Sequence, residues 1–254
     1  MNLDVIKSPR QGSFSVDQYS SHFTLIEDDL LYAKKSHSYQ KKTYHESFAS
    51  DWALLWADLP PHTVSIRSGD KVIPLAGPTT LFMPPFTIVE LHTEICLLNW
   101  ELVASSNPLP SAASFSTPIL LVGPKRLPES KTEVIEFMAL LKDGTRLVQE
   151  KKNSSVAEKA KRYIDQHFCE NLKIGEMATH LNFSREVLTR EFKSTYGLSP
   201  IDYRHRLRLF EAMIKVRNKM SFTEALFEVG FSDPSQFITQ FKKTLGGLPS
   251  QYKL

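Results

Sequence analysis

The sequence predicts an α+β chain of two domains. An N-terminal β-barrel or sandwich precedes an all-α domain in which a long helix joins two helix-turn-helix units. Three observations predict it. Residues 20–104 break into short apolar or alternating runs punctuated by Gly and Pro. Beyond residue 155 the apolar residues recur at helical spacing. The charge also reverses: residues 1–150 hold 13 Lys/Arg and 17 Asp/Glu, whereas residues 151–254 hold 18 and 11.

The strand runs are Phe23–Ile26, Leu30–Ala33, Trp52–Leu59, Thr63–Ile66, Lys71–Leu75, Thr80–Met83 and Ile88–Leu102. Ser68-Gly69-Asp70, Ala76-Gly77-Pro78 and Pro84-Pro85 separate several of them. Many short strands at close spacing suit a barrel or sandwich. Trp52, Trp56, Trp100, Phe82 and Phe86 are aromatic residues for its core or for a pocket. Ser105–Pro118 reads as a Ser/Pro-rich loop and Ile119–Val122 as one more strand. Glu129–Lys142 reads as a helix whose apolar residues cover more than one face, which suits burial on two neighbours or a dimer contact. Lys151–Ser155 is a polar hinge. The expected divisions are 1–127, a helical linker and candidate dimer helix at 128–153, and 154–254.

Val156–Phe168 is an amphipathic helix. Glu176–Leu181, the turn Asn182-Phe183-Ser184 and Ser184–Thr195 make the first helix-turn-helix. Ser199-Pro200 opens a long helix, Ile201–Asn218. Phe222–Val229 and Gly230–Lys243 make the second unit, with Ser232 and Asp233 as capping residues before Pro234. The second unit echoes the first at about 47 residues, with a two-residue slip: Phe192-Lys193 answers Phe241-Lys242 and Leu188 answers Phe237 at an offset of 49.

These residues resemble the AraC/XylS transcription regulators. The pattern S-x-x-x-L-x-R-x-F-K is supplied by Ser184, Leu188, Arg190, Phe192 and Lys193. G-x-S-P-x-x-Y follows as Gly197, Ser199, Pro200 and Tyr203. G-F-S-D-x-S-x-F-x-x-x-F-K-K follows as Gly230 to Lys243, and the closing S-x-Y as Ser250 and Tyr252. The resemblance spans residues 155–254. Ala225-Leu226 stands where the family usually has Ile-Ala, and Thr239 where it usually has a basic residue.

The resemblance implies double-stranded DNA and RNA polymerase as partners and an activating role. It also implies a cupin-like N-terminal barrel that senses a small-molecule effector or a regulatory protein, or that mediates homodimerisation. The basic C-terminal half agrees with a polyanionic partner. In the first recognition helix Arg185, Glu186, Thr189 and Arg190 lie off the Leu188/Phe192 face. Arg190 suits guanine O6/N7, a phosphate, or an i,i+4 pair with Glu186. In the second, Pro234, Ser235, Gln236 and Thr239 match base-facing positions of the family, and Gln236 suits adenine. Lys193, Lys242 and Lys243 suit phosphates.

Rival classes fit less well. Glu90, His92 and Glu94 alternate on one strand, but no His-x-His with a following Glu supports a cupin-like metal enzyme. No metal or cofactor is expected. A DNA-repair alkyl transferase needs an activated thiolate, and neither Cys96 nor Cys169 has flanking Pro/His to activate it. Two lone cysteines suit a reducing cytoplasm, and the N-terminus shows no apolar leader segment. No apolar run is long enough to span a bilayer, so no membrane partner is expected.

Overall fold

A computed structural model describes residues 10–16, 19–26, 30–107, 115–123, 126–150, 154–171, 173–245, 248–249 and 252–253. Part of the Ser/Pro-rich loop, the Lys151-Lys152-Asn153 stretch, Gly247 and Ser250 lie outside the described residues.

The N-terminal region is an antiparallel sheet. Its strands are β1 (Arg10–Val16), β2 (Tyr19–Ile26), β3 (Leu30–Tyr39), β4 (Lys42–Glu46), β5 (Trp52–Ser68), β6 (Lys71–Met83), β7 (Val89–Thr93), β8 (Cys96–Ser105), β9 (Ile119–Val122), β10 (Thr145–Arg146) and β11 (Tyr252–Lys253). They run β10-β9-β6-β5-β8-β3-β2-β1-β11, with β7 bridging β4 and β5. The sheet forks at β5: Trp52–Trp56 pair with β8, whereas Val64–Ile66 pair with β7.

Two expected strand pairs are single strands. β5 runs through Pro60-Pro61, because its register against β6 shifts between Leu59 and Val64. A bulge there removes the need for the amides that proline lacks. β6 likewise continues through Gly77-Pro78, paired to Leu59 and Asp58. Conversely, Ile88–Leu102 is two strands, with a turn at Glu94-Ile95. β1 and β4 carried no strand expectation.

The sheet buries both faces. One carries Phe23, Ala33, Leu55, Leu59, Ile66, Leu81 and Trp100. The other carries Leu30, Trp52, Leu54, Phe82, Val103 and Ile119, covered by α1 (Lys131–Leu140) through Val134, Phe137 and Met138. α1 therefore divides its apolar surplus: one stripe lies on the sheet, while Ile135 is 52% exposed. Trp52, Trp100 and Phe82 are core residues, as aromatics at strand spacing usually are.

The helices are α2 (Ser155–His167), α3 (Ile174–His180), α4 (Arg185–Tyr196), α5 (Pro200–Arg217), α6 (Phe222–Glu228) and α7 (Pro234–Leu245). Serine side chains cap α2, α4, α5 and α6 through Ser154, Ser184, Ser199 and Ser221. Ala157, Ala160 and Ile164 of α2 pack with Leu188, Phe192, Tyr196 and Tyr203 under the first unit. Leu209, Ala212, Leu226, Val229, Phe231, Phe237 and Phe241 form the core of the second. Ala225 and Leu226, the departure from the family pattern, are fully packed at 0% and 1% exposure.

The helices dock on the sheet through α5. Arg217 donates to both carboxylate oxygens of Asp51 at 2.8 and 3.0 Å. Arg206 meets Glu46 at 2.9 Å and Glu211 accepts from Ser50 at 2.7 Å. The Phe86 carbonyl accepts from Lys161 Nζ at 2.7 Å and lies 2.9 Å from the Tyr203 hydroxyl. β11 adds the chain's end to β1. Among the described residues no helix is long and apolar enough to cross a membrane.

Candidate DNA-reading surface and interdomain cavity

The two helix-turn-helix units are built alike. α3 and α6 are each seven residues long and start 48 residues apart, whereas α4 and α7 are each 12 long and start 49 apart. The turns share one geometry. Asn182 at φ 58° and Gly230 at φ 88° hold the left-handed position. The next amide then closes back to the first helix, Phe183 to the Ala178 carbonyl at 2.9 Å and Phe231 to that of Leu226 at 3.0 Å. The second unit has one extra residue between this point and its recognition helix. There Asp233 is the cap, accepting from the Ser235 and Gln236 amides at 2.7 and 3.2 Å. Hydrogen bonding from the Ser235 hydroxyl, more than from the two amides, holds the Asp233 carboxyl below its usual pKa.

Leu188 and Phe192 of α4, and Phe237 and Phe241 of α7, are buried. The opposite faces are therefore open. Arg185, Glu186, Arg190, Lys193, Pro234, Ser235, Gln236, Thr239, Lys242 and Lys243 are exposed and Thr189 is half-buried. Several have partners within the protein. Arg190 pairs with Glu191 at 3.2 Å, the adjacent residue, in place of the i,i+4 partner Glu186. Gln236 donates to the Ser232 hydroxyl at 2.8 Å, and Thr239 back-bonds to the Ser235 carbonyl at 2.9 Å. Lys243 reaches the Asp202 carboxylate at 2.8 Å, tying α7 to the start of α5. These pairs are surface contacts worth little each.

A second feature was not anticipated. A cavity of about 1120 Å³ lies between the sheet and the helices. Its apolar wall comes from Phe23, Leu31, Phe48 and Leu102 on the sheet side and Phe210, Ile214, Ile238 and Phe241 on the helix side. Its cations outnumber its acids: Lys35, Lys42, Lys193, Arg206, Arg217 and Lys243 face it with Glu46, Asp51 and Asp202. Glu46 accepts from Arg206 at 2.9 Å and also acts on the charge of Lys35, and burial pushes both of those cations below their usual pKa. Trp52, Trp56, Trp100, Phe82 and Phe86, the aromatic residues read as core or pocket of the sheet domain, do not line it. The available signal was the alternation Leu31, Ala33, Lys35, His37 along β3, a strand face that changes from apolar to cationic.

The remaining candidates are occupied otherwise. Glu90 is nearly buried and held by Arg67 at 2.7 Å and His92 at 2.9 Å, with His45 at 3.5 Å. It belongs to a buried polar cluster with Arg67, His92 and His45. Among the described residues no group of three or more His, Cys, Asp or Glu is placed to hold a metal ion. Burial, the largest influence on each thiol, raises both above their usual pKa, that of Cys169 to about 11. Burial thus acts against the thiolate form at both.

Residues 177–254 match the family described as "Helix-turn-helix domain" (HTH_18). The chain is 32% identical over 105 residues to an uncharacterized HTH-type transcriptional regulator of Pseudoalteromonas carrageenovora, covering 41% of this chain and 63% of that protein. It is 27% identical over 116 residues to the HTH-type transcriptional activator RhaS of Salmonella schwarzengrund, covering 45% and 42%. The chain thus spans less than two thirds of the length of these curated relatives. Its fold is similar to that of ToxT from Vibrio cholerae, at a TM-score of 0.52 and 12% identity over 88% of this chain and 97% of that one. A second ToxT structure, bound to (E)-4-(8-methylnaphthalen-1-yl)but-3-enoic acid, matches at a TM-score of 0.50 and 14% identity over 92% and 98%. The two equivalent helix-turn-helix units and the family match converge: residues 177–254 of this chain are a helix-turn-helix domain of the AraC/XylS type.

Proposed function

We propose that this chain is a sequence-specific, DNA-binding transcription activator regulated by a small amphipathic carboxylate. The single observation that carries the DNA reading is the pair of equivalent units with open polar faces on one rigid helix. α5 has 18 residues, a length of about 27 Å. That approaches the roughly 34 Å between successive major-groove faces of B-DNA. RhaS, an activator by name, supports the sign of regulation, and activation implies contact with RNA polymerase. We assign 1–127 to sensing, 128–153 to the linker and 154–254 to DNA binding. The outward Ile135 of α1 offers a second copy an apolar contact.

One experiment tests the DNA reading. Duplexes are selected from a random library, and binding is measured against salt for wild type and two variants. Arg190→Ala should relax preference at one base pair, losing ~1–3 kcal/mol of discrimination there. Lys242→Ala should weaken all sequences alike and flatten the log–log salt slope by about one. The second half-site, which has Thr239 at the position of Arg190, should be read less strictly. No sequence preference in wild type would overturn the reading.

The effector belongs in the cavity between the domains. Apolar walls suit a hydrocarbon or aromatic tail, and Lys35 with Arg206, sharing one Glu46, suits a carboxylate. The acid bound by ToxT has this chemistry. Calorimetry with that acid should show binding that Lys35→Met weakens on the order of tenfold, about the worth of one charge-assisted hydrogen bond. Equal binding by both proteins would remove the ligand from this site.

A further inference from the structure

The two helix-turn-helix units meet at one side chain outside their recognition helices. α2 ends at His167 with no glycine behind it, so its last carbonyls need partners. The His167 carbonyl accepts from the Glu170 amide at 3.0 Å, and two carbonyls just past the helix find a partner on α5. Arg208, 4% exposed, donates from Nε to the Phe168 carbonyl at 2.6 Å and from Nη2 to the Glu170 carbonyl at 2.6 Å. Its Nη1 donates to the Gly230 carbonyl at 2.5 Å, in the turn of the second unit. One planar fork thus binds the end of the first unit's base and the turn of the second. The negative end of the α2 dipole also helps to hold the cation.

The backbones approach closely at this point. A Cβ placed on Gly230 would lie 2.0 Å from the Cys169 carbonyl oxygen. α5 carries core residues of both units, Tyr203 and Leu207 with the first and Leu209 and Ala212 with the second, so an apolar seam joins each unit to the same helix. The guanidinium adds a second anchor between the same two bodies.

We propose that Arg208 is a positioning residue for operator reading: it fixes the angle between the two units and so sets the half-site spacing the protein accepts. The inference rests on the DNA-binding reading above. One base pair of added spacing moves a half-site by about 3.4 Å and turns it by roughly 34°, so a rigid pair of reading heads discriminates spacing and a loose pair does not.

The test uses the full chain and the bipartite duplex selected by wild type, with one base pair added or removed between its halves. Wild type should lose on the order of tenfold in affinity for either altered duplex, as for one mismatched base pair. Arg208→Lys keeps the charge but lacks the fork. It should bind all three duplexes within about threefold of one another, and duplexes carrying one half-site as wild type does. An unchanged spacing profile, or an equal loss on every duplex including single half-sites, would overturn the proposal. An unfolded Arg208→Lys chain by circular dichroism would make Arg208 a folding residue and overturn it too. If wild type selects no duplex, the DNA reading itself falls.

Discussion

Replacing Gly230 with alanine is expected to destabilise the protein by more than about 3 kcal/mol, the scale of severe single substitutions. Two costs combine. Gly230 stands at φ 88°, in the left-handed region, where a Cβ costs roughly 1–2 kcal/mol. The added Cβ would also lie 2.0 Å from the Cys169 carbonyl oxygen and 2.7 Å from the Arg208 guanidinium. The first contact is with backbone, so relief requires the turn to move off α2. That movement breaks the Arg208 fork and unpacks Phe231, which is 2% exposed. Gly175 is the control: a Cβ there meets nothing within 4 Å. It lies in α3, where alanine is favoured by roughly 1 kcal/mol. Denaturant midpoints at constant slope check both, and equal midpoints for Gly230→Ala and wild type would contradict the turn geometry.

The second large effect concerns the Asp51–Arg217 pair between the domains. Asp51→Ala is expected to cost about 3–5 kcal/mol, because it leaves Arg217 buried without its carboxylate. The pair itself is expected to add little net stability. Arg217 Nε is buried with no acceptor among the described residues. Burial outweighs the guanidinium and holds the Asp51 carboxyl above its usual pKa. The charged form therefore opposes folding above the raised pKa, and that opposition eases as pH falls through it. Asp51→Leu combined with Arg217→Met is accordingly expected to be neutral or stabilising by about 1–4 kcal/mol. Thermal unfolding of the two single variants and the double variant forms the cycle. A double variant as unstable as Asp51→Ala would show that the pair stabilises the docking and does not merely specify it. The register of α5 on the sheet would then be expected to survive only with the pair intact.

How much of this was legible depends on how local each signal is. The seven α-helices among the described residues lie within a few residues of their sequence expectations, because the apolar stripe and, for most of them, a serine cap occupy one short segment. The repeat was legible for the same reason: Phe192 and Phe241 serve the same position in equivalent helices. The strands were less so. β5 runs through Pro60-Pro61 because its partner β6 shifts register there, and no property of residues 52–68 alone says so. β1 and β4 lack strong apolar alternation and exist through their neighbours.

By itself the sequence determined the two-domain α+β plan, the pair of helix-turn-helix units and the open faces of α4 and α7. Side-chain periodicity sorts buried from exposed within one element without reference to any other. Only the tertiary structure decided the interdomain cavity, the ion cluster at Glu90 and the Arg208 junction. Each is made by residues far apart in the chain, such as Lys35 with Arg206, or Phe168 with Gly230 through Arg208. Which polar groups meet there depends on how the sheet and the helices dock, and docking is set by whole surfaces and not by local spacing.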